Sequence, residues 1–318
     1  MELFKQLENK FSNFIETGGC VTVNTGTSAL HIALEALQLP IGSEVIVPQY
    51  TMIATAWAIY YARLKPIFID CDDSLLIDID QIEQNITTKT KVIMVTHIYG
   101  RVVNMDKIMS IAKKYNLRVI EDAAEAHGCK WKNKKVGSYD IGCFSFYKNK
   151  IVCGEEGGAV TSNDINFLEI VRDMKSMSFG KHHNYTHDKI GFNYRMTNSQ
   201  ANLILNSLNC VETNILIRKE NELIYNTLID NQYHMPKRNI PWVYDIKVPD
   251  NSIVDILKQK NIQARYGFKP ASINSPFNSW NNINKSYIFS KQIMYLPVFQ
   301  TKEETIHIAK EFNLLCPN

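Results

Sequence analysis

Between residues 20 and 160, short unbroken apolar runs alternate with stretches in which apolar residues recur every three or four positions. That alternation predicts strand–helix–strand units, with parallel strands joined by helices that cross back over the sheet. Strands are predicted at 20–23, 44–47, 66–70, 92–97, 118–122, 141–146 and 159–161. Most are apolar throughout, as befits strands covered on both faces. Leu30, Ala33, Leu34 and Leu37 fall on one helical face, as do Ile108, Ile111 and Ala112 on another, so helices cover the sheet. From 196 to 230 the pattern is helical. Beyond it, 242–248 alternates like a strand and 252–260 repeats like a helix. Thr301 with Glu304 has the spacing of a capping box opening a last helix, and 273–285, rich in Asn and Ser, reads as an irregular loop.

At 318 residues the chain has room for two domains of roughly 150 residues each. We expect a large one over 1–210 and a smaller C-terminal α+β one over 211–318, linked by the long helical stretch. With 45% hydrophobic and 21% charged residues the composition is globular, not disordered. A net charge of +3 without dense basic blocks argues against a nucleic-acid or membrane partner. The seven cysteines are scattered and never spaced as metal ligands or a disulfide framework, so no metal is expected. The opening MELFKQLENKF lacks the apolar core of an export signal, and the most apolar stretch, 50–62, is too short to cross a bilayer. A cytoplasmic protein is expected.

Four segments lie at the ends of predicted strands or lead into helices, where open α/β sheets place their ligands. In NTGTSALHIAL, Gly26, Thr27 and Ser28 sit between a strand and a helix. Small residues at a helix N-terminus leave N–H groups free and favour a phosphate; alternatively, Thr27 or Ser28 merely caps the helix. There is no GxGxxG, so nothing supports a dinucleotide. In RVIEDAAEAHG, Asp122 closes a buried strand, where a carboxylate needs a cation or several donors to stay charged, unless it only caps the next turn. Glu125 and His127 either line the same pocket or, His127 above all, serve the structure. In CFSFYKNKIVCGEEGGAV, Ser145 and Lys150 follow an aromatic strand. Desolvation there lowers an ammonium pKa, as an imine-forming amine requires; the plain alternative is that Lys148 and Lys150 are solvated. YTHDKIGFNYRMTNSQAN gathers His187, Asn193 and Arg195 without a packing reason, or is a polar loop.

Together these segments resemble the sugar aminotransferases of the DegT/DnrJ/EryC1/StrS group, fold type I enzymes that use pyridoxal phosphate. The family pattern GTxAL, PxxTxxAT, EDAAxAHG, FSFYxxK with a following Glu-Gly-Gly, and GxNYRM is met by GTSAL, PQYTMIAT, EDAAEAHG, FSFYKNK with EEGG, and GFNYRM, in that order. The match covers roughly 20–205, with a fainter one in LPVFQTKEET. The resemblance implies a mostly parallel sheet flanked by helices, and it assigns roles. Lys150 matches the lysine that forms the internal aldimine and shuttles the proton, with pyridoxamine phosphate as the intermediate form. Asp122 matches the partner of the pyridinium nitrogen, and Glu125 a residue near the phenolic oxygen. Ser145, with Gly26, Thr27 and Ser28, matches the phosphate cup. Asn193 matches a residue that reaches the phosphate from the neighbouring subunit, which implies a homodimer with shared sites. Tyr99, His187, Arg195 and Arg265 are candidates for substrate contact.

The YxHxxxGxNYRM context resembles enzymes of the perosamine and viosamine type, which aminate C4 of a 4-keto-6-deoxy nucleotide sugar. Glutamate is the expected amino donor. Alternatives are a C3 aminotransferase, a dehydratase on the same scaffold, or a non-catalytic cofactor-binding regulator; the family's dehydratase branch carries His where Lys150 stands. Met52 stands where an aromatic residue often stacks on the cofactor ring, Glu155 replaces the first glycine of GEGG, and Trp57 replaces a common Asn. Lys181, Arg195, Lys237, Arg238 and Arg265 are candidates for the diphosphate clamp, or are simply solvated. The short helix before GTSAL and an abbreviated C-terminal part suggest a compact member of the family.

Overall fold

The computed structural model describes residues 2–180, 185–278 and 285–317. Along the chain come β1 (Gly19–Val23), β2 (Glu44–Pro48), β3 (Lys65–Ile69), β4 (Thr90–Thr96) and β5 (Arg118–Asp122), then a short ribbon of β6 (Lys130–Trp131) and β7 (Lys134–Lys135), then β8 (Ile141–Ser145) and β9 (Gly158–Ser162). Except for the ribbon they form one sheet in the order β1-β9-β8-β5-β4-β2-β3. The strands from β8 to β3 run parallel, while β9 lies antiparallel between β8 and β1. Each predicted strand here is present, with its ends displaced by no more than two residues.

Helices α1 (Glu2–Ile15), α2 (Gly26–Ala36), α3 (Ile53–Tyr61), α4 (Met105–Tyr115), α5 (Ile165–Met174) and α6 (Asn198–Asn209) cover the two faces. Strand side chains alternate between those faces. Val92, Met94 and Ile120 pack with α2, α3 and α5, whereas Ile93, Val95 and Val119 pack with α4. Farther along that second face, α1 wedges Phe11 edge-on against Phe144 and Phe146, each 5.0 Å away between ring centroids. Such a pair adds about 0.5–1.5 kcal/mol to the burial of the rings.

The stretch expected to be continuously helical is two helices meeting at Cys210: α6, opened by the capping box of Thr197 and Gln200, and α7 (Val211–Leu228). Val211 and Ile215 of α7 join the core beneath the large sheet. Tyr225, three turns on, joins a separate core built from β10 (Tyr244–Lys247), α8 (Ile253–Gln259), β12 (Ile293–Leu296) and α10 (Lys302–Leu315). There β12 pairs with both β10 and the short β11 (Arg265–Tyr266). β10, α8 and the Thr301–Glu304 capping box fall where the pattern places them. Of the loop expected at 273–285, residues 279–284 lie outside the described residues, and Lys285 opens α9 (Lys285–Gln292). Among the described residues, no helix is long and apolar enough to cross a membrane.

The parallel strands β2, β4, β5 and β8 end at one edge, and β1 points the same way. Between β8 and β9 the chain makes a pinned loop. Phe146 N–H donates to Gly157 O at 2.8 Å, Lys148 N–H to Glu155 O at 3.0 Å, and Lys150 N–H to Tyr147 O at 2.8 Å. Glu155 closes this loop with a φ of 65°, in the left-handed region where a side chain costs about 1–2 kcal/mol. The resembled family carries glycine there. Glu155→Gly should therefore raise stability by about 0.5–1 kcal/mol after allowing for the extra freedom of glycine in the unfolded chain. Denaturant unfolding of the two proteins measures this, and a loss of stability would contradict it.

Candidate active site

At the strand-end edge lies a cavity of about 480 Å³, into which the loop between β8 and β9 delivers Lys150. The Lys150 side chain is only 10% exposed. Its Nζ lies 3.6 Å from Glu125 Oε1 and 3.7 Å above the centre of the Trp242 ring. Burial lowers the ammonium pKa, and the nearby carboxylates of Glu125 and Asp122 oppose that shift only in part. Burial likewise pushes Glu125 up to about 7, against the pull of Lys150 and of the Tyr99 N–H, which donates to Oε2 at 2.9 Å. Each group is driven towards its neutral form, so the pair exchanges a proton far more readily than a solvated lysine and glutamate would.

Asp122 ends β5 at the floor of the cavity. Thr55 Oγ1 donates to Oδ2 at 2.8 Å and Ala124 N–H to Oδ1 at 3.2 Å. Those two bonds do not offset burial, which raises the carboxyl pKa. A cationic ring nitrogen is the kind of partner this carboxylate lacks. Opposite it, α2 begins at Gly26. Thr25 caps the helix, its Oγ1 accepting the Ser28 N–H at 3.0 Å, while Gly26 and Thr27 line the cavity. The first N–H groups of a helix have no partner within it and favour an anion. A Cβ on Gly26 would lie 2.7 Å from Ser145 Cβ, and one on Gly158 would lie 2.2 Å from Thr25 O. Glycine at 26 lets the helix end touch Ser145 of β8, and glycine at 158 lets β9 pass against Thr25. A phosphate cradle, an under-compensated carboxylate and a buried amine thus share one cavity, and this donor set fits pyridoxal phosphate.

Lys150, Glu125, Asp122, Ser145, Gly26, Thr27, Met52 and Arg265 all line the cavity. Met52 is half exposed at the mouth. Ser28 does not line it: both its N–H and its hydroxyl are turned to Thr25, which is the actual cap in place of Thr27 or Ser28. Tyr99 is not a wall residue either. It is fully buried, its ring stacked on Trp242 and Phe268, and its φ of 54° aims the N–H at Glu125. Within one chain His187, Asn193 and Arg195 stand apart from the cavity. Asn193 bridges to Ser176, His187 Nδ1 lies 2.8 Å from Met177 O, and Arg195 lines a second cavity beside Glu8 and Arg172. Among the diphosphate candidates, Arg238 is locked in a buried ion cluster with Asp245 and Glu222, Lys237 is exposed, and Lys181 lies outside the described residues. Burial among Phe144 and Phe146 pushes His127 down to about 3, so it is a neutral packing residue.

The sequence named no role for several residues in or behind the cavity wall. Thr55, the last letter of PQYTMIAT, does not line the cavity but holds Asp122, and the motif itself could have flagged it. Trp242, Phe268 and Tyr295 come from the far end of the chain and carry no local signal.

The raised Glu125 fixes a pH dependence. Its folded pKa of about 7 exceeds the usual 4.5, so its contribution to stability is complete below about pH 4.5 and is lost as pH rises through about 7. Lys150, with its pKa lowered, acts in the opposite sense at higher pH. Between pH 5 and 8 the cofactor-free wild type should therefore lose more stability, or gain less, than Glu125→Gln. Denaturant unfolding at the two pH values measures the difference; equal changes in the two proteins would contradict it.

Residues 2–312 match the DegT/DnrJ/EryC1/StrS aminotransferase family. A GDP-perosamine synthase of Escherichia coli O157:H7 is 41% identical over 244 residues, covering 76% of this chain and 67% of that protein. A dTDP-3-amino-3,6-dideoxy-alpha-D-galactopyranose transaminase of Aneurinibacillus thermoaerophilus is 32% identical over 323 residues, covering 96% and 88%. The solved structure of PseC from Helicobacter pylori, an aminotransferase involved in pseudoaminic acid biosynthesis, shares the fold with a TM-score of 0.90 at 24% identity, over 97% of this chain and 89% of that one. Matched along nearly its whole length, the chain belongs to the DegT/DnrJ/EryC1/StrS aminotransferase family.

Proposed function

We propose that the protein is a pyridoxal phosphate-dependent aminotransferase that moves the amino group of glutamate to C4 of a nucleotide-linked 4-keto-6-deoxy sugar. The observation that carries this reading is the convergence of Lys150, Glu125, Asp122, Ser145 and Gly26 on one cavity. The relative named a GDP-perosamine synthase favours C4 and makes GDP the first nucleotide to test.

Bound there, the cofactor supplies an electron-withdrawing ring that stabilises negative charge on a substrate carbon and a carbonyl carbon that receives and gives up the amino group. Asp122 would hold the ring nitrogen, Glu125 would face the phenolic oxygen, and Ser145 with the N–H groups of Gly26 and Thr27 would hold the phosphate. Met52 covers the mouth with sulfur and methylene surface in place of an aromatic ring. Lys150 Nζ removes a proton from the donor's α-carbon in one half of the exchange and returns one to the sugar carbon in the other. Burial serves this task, because an amine whose pKa is lowered towards neutrality can both accept and release a proton.

Arg265, which lines the cavity, would meet the nucleotide's diphosphate. Asn193, together with His187 and Arg195 on the same exposed segment, completes the site of a second copy in a cytoplasmic homodimer. We take 1–210 as the cofactor-binding domain and 211–318 as the smaller one, with α7 packed on both cores.

A 3-amino sugar is the competing product, favoured by the relative whose name specifies a 3-amino sugar. The test incubates the enzyme with pyridoxal phosphate, glutamate and a panel of GDP-, UDP- and dTDP-linked keto sugars, and reads products by mass and NMR. A 4-amino-4,6-dideoxy product is expected; a 3-amino product would move the assignment to C3, and ammonia release without transfer would refute amino transfer. Lys150→Ala should lose transfer by about 10³-fold or more, and undiminished transfer would sink the role given to Lys150.

A further inference from the structure

We propose that Trp242 is a positioning residue for this reaction, its indole face forming the seat on which the Lys150 ammonium rests while the amine carries a proton. The inference rests on the reading of Lys150 as the catalytic amine, which it deepens. Nζ lies 3.7 Å from the centre of the ring, within the range in which a cation is drawn to an aromatic face. The ring itself is fixed: it is 5% exposed, stacks on Tyr99 with centroids 6.0 Å apart, and donates its Nε1–H to Asn149 O at 3.0 Å.

A second residue fastens this arrangement. Arg218 of α7 donates from Nη1 to Trp242 O at 2.9 Å and from Nη2 to Asn149 O and Lys150 O, each at 3.4 Å. The guanidinium is 3% exposed and lies over Phe299, and among the described residues no carboxylate pairs with it. Burying a cation without a counter-ion is unfavourable. Here the group ties the backbone of the lysine loop to the backbone of the indole, so the two keep their spacing although they come from distant parts of the chain.

The chemistry gives the seat a purpose. Lys150 is faced by Glu125 and Asp122 from the end of β5 and the turn after it, by Arg218 from α7, and by His127 beneath the loop. Arg218 repels an ammonium, and His127 is neutral. Glu125 attracts it, yet a buried carboxylate that itself holds a proton near neutrality competes for the proton the lysine must deliver. An aromatic face attracts the ammonium and cannot take its proton. The indole therefore keeps the charged amine inside the cavity without discharging it.

The test compares Trp242→Leu with Trp242→Phe in the cofactor-free protein. Trace labelling of Lys150 with acetic anhydride across pH, read by mass spectrometry, gives the pH midpoint at which the amine becomes reactive. Trp242→Leu should lower that midpoint by about one pH unit, while Trp242→Phe, which keeps a ring, stays within about half a unit of wild type. In the loaded enzyme, Trp242→Leu should lower kcat several-fold more than it changes the KM for glutamate. If the leucine variant does not fold, Trp242→Met supplies the apolar residue without a ring. Equal midpoints for the ring-bearing and ring-free variants would overturn the proposal. Because labelling needs no turnover, this result stands apart from the fate of the proposed function, which Lys150→Ala decides.

Discussion

The site depends on an amine and two carboxylates held out of water at the ends of parallel strands. Lys150, Glu125 and Asp122 are all nearly buried, and for each of them burial is the largest influence on its proton affinity. Ion pairing in water would leave these groups charged and inert. In the cavity burial moves every one of them towards its neutral form. Thr55, the Tyr99 N–H and the Trp242 ring satisfy these groups only in part. What remains unsatisfied is what a cationic ring, a phosphate and a substrate carbon can complete.

That burial is a property of the whole fold. Apolar residues on both faces of the sheet keep water from the strand ends, and Phe11 of α1 braces the strand from which the lysine loop springs. Glycine at 26 lets the α2 terminus close on Ser145, and glycine at 158 leaves room for Thr25 against β9. Another part of the wall comes from the chain beyond α7: Trp242, Phe268 and Tyr295 pack with Tyr50 and Tyr99 in a cluster of their own, and Arg265 lines the cavity beside them. Two of the residues with left-handed backbone serve the site. Tyr99 takes a left-handed backbone to aim its N–H at Glu125, and Glu155 takes one to close the lysine loop.

The sheet was legible because its strands are short and apolar on both faces. Asp122 and Ser145 were legible because each ends a strand, and Glu125 and Lys150 because they follow those ends within five residues. Three kinds of feature were not. The break at Cys210 leaves no mark in a pattern that is helical on both sides of it. The roles of Ser28 and Tyr99 turn on particular hydrogen bonds, two from Ser28 to Thr25 and one from the Tyr99 N–H to Glu125, and residue type does not encode these. Trp242 and Arg218 act on Lys150 across long sequence separations, where periodicity carries no information.

The central claim is that one amine, made reactive by burial, carries the cofactor. The most direct measurement is to add pyridoxal phosphate to the purified protein, reduce with borohydride, digest, and locate the modified lysine by mass spectrometry. The phosphopyridoxyl group is expected on Lys150 at close to one per chain. Modification of Lys148 or of any other lysine, with Lys150 unmodified, would contradict it.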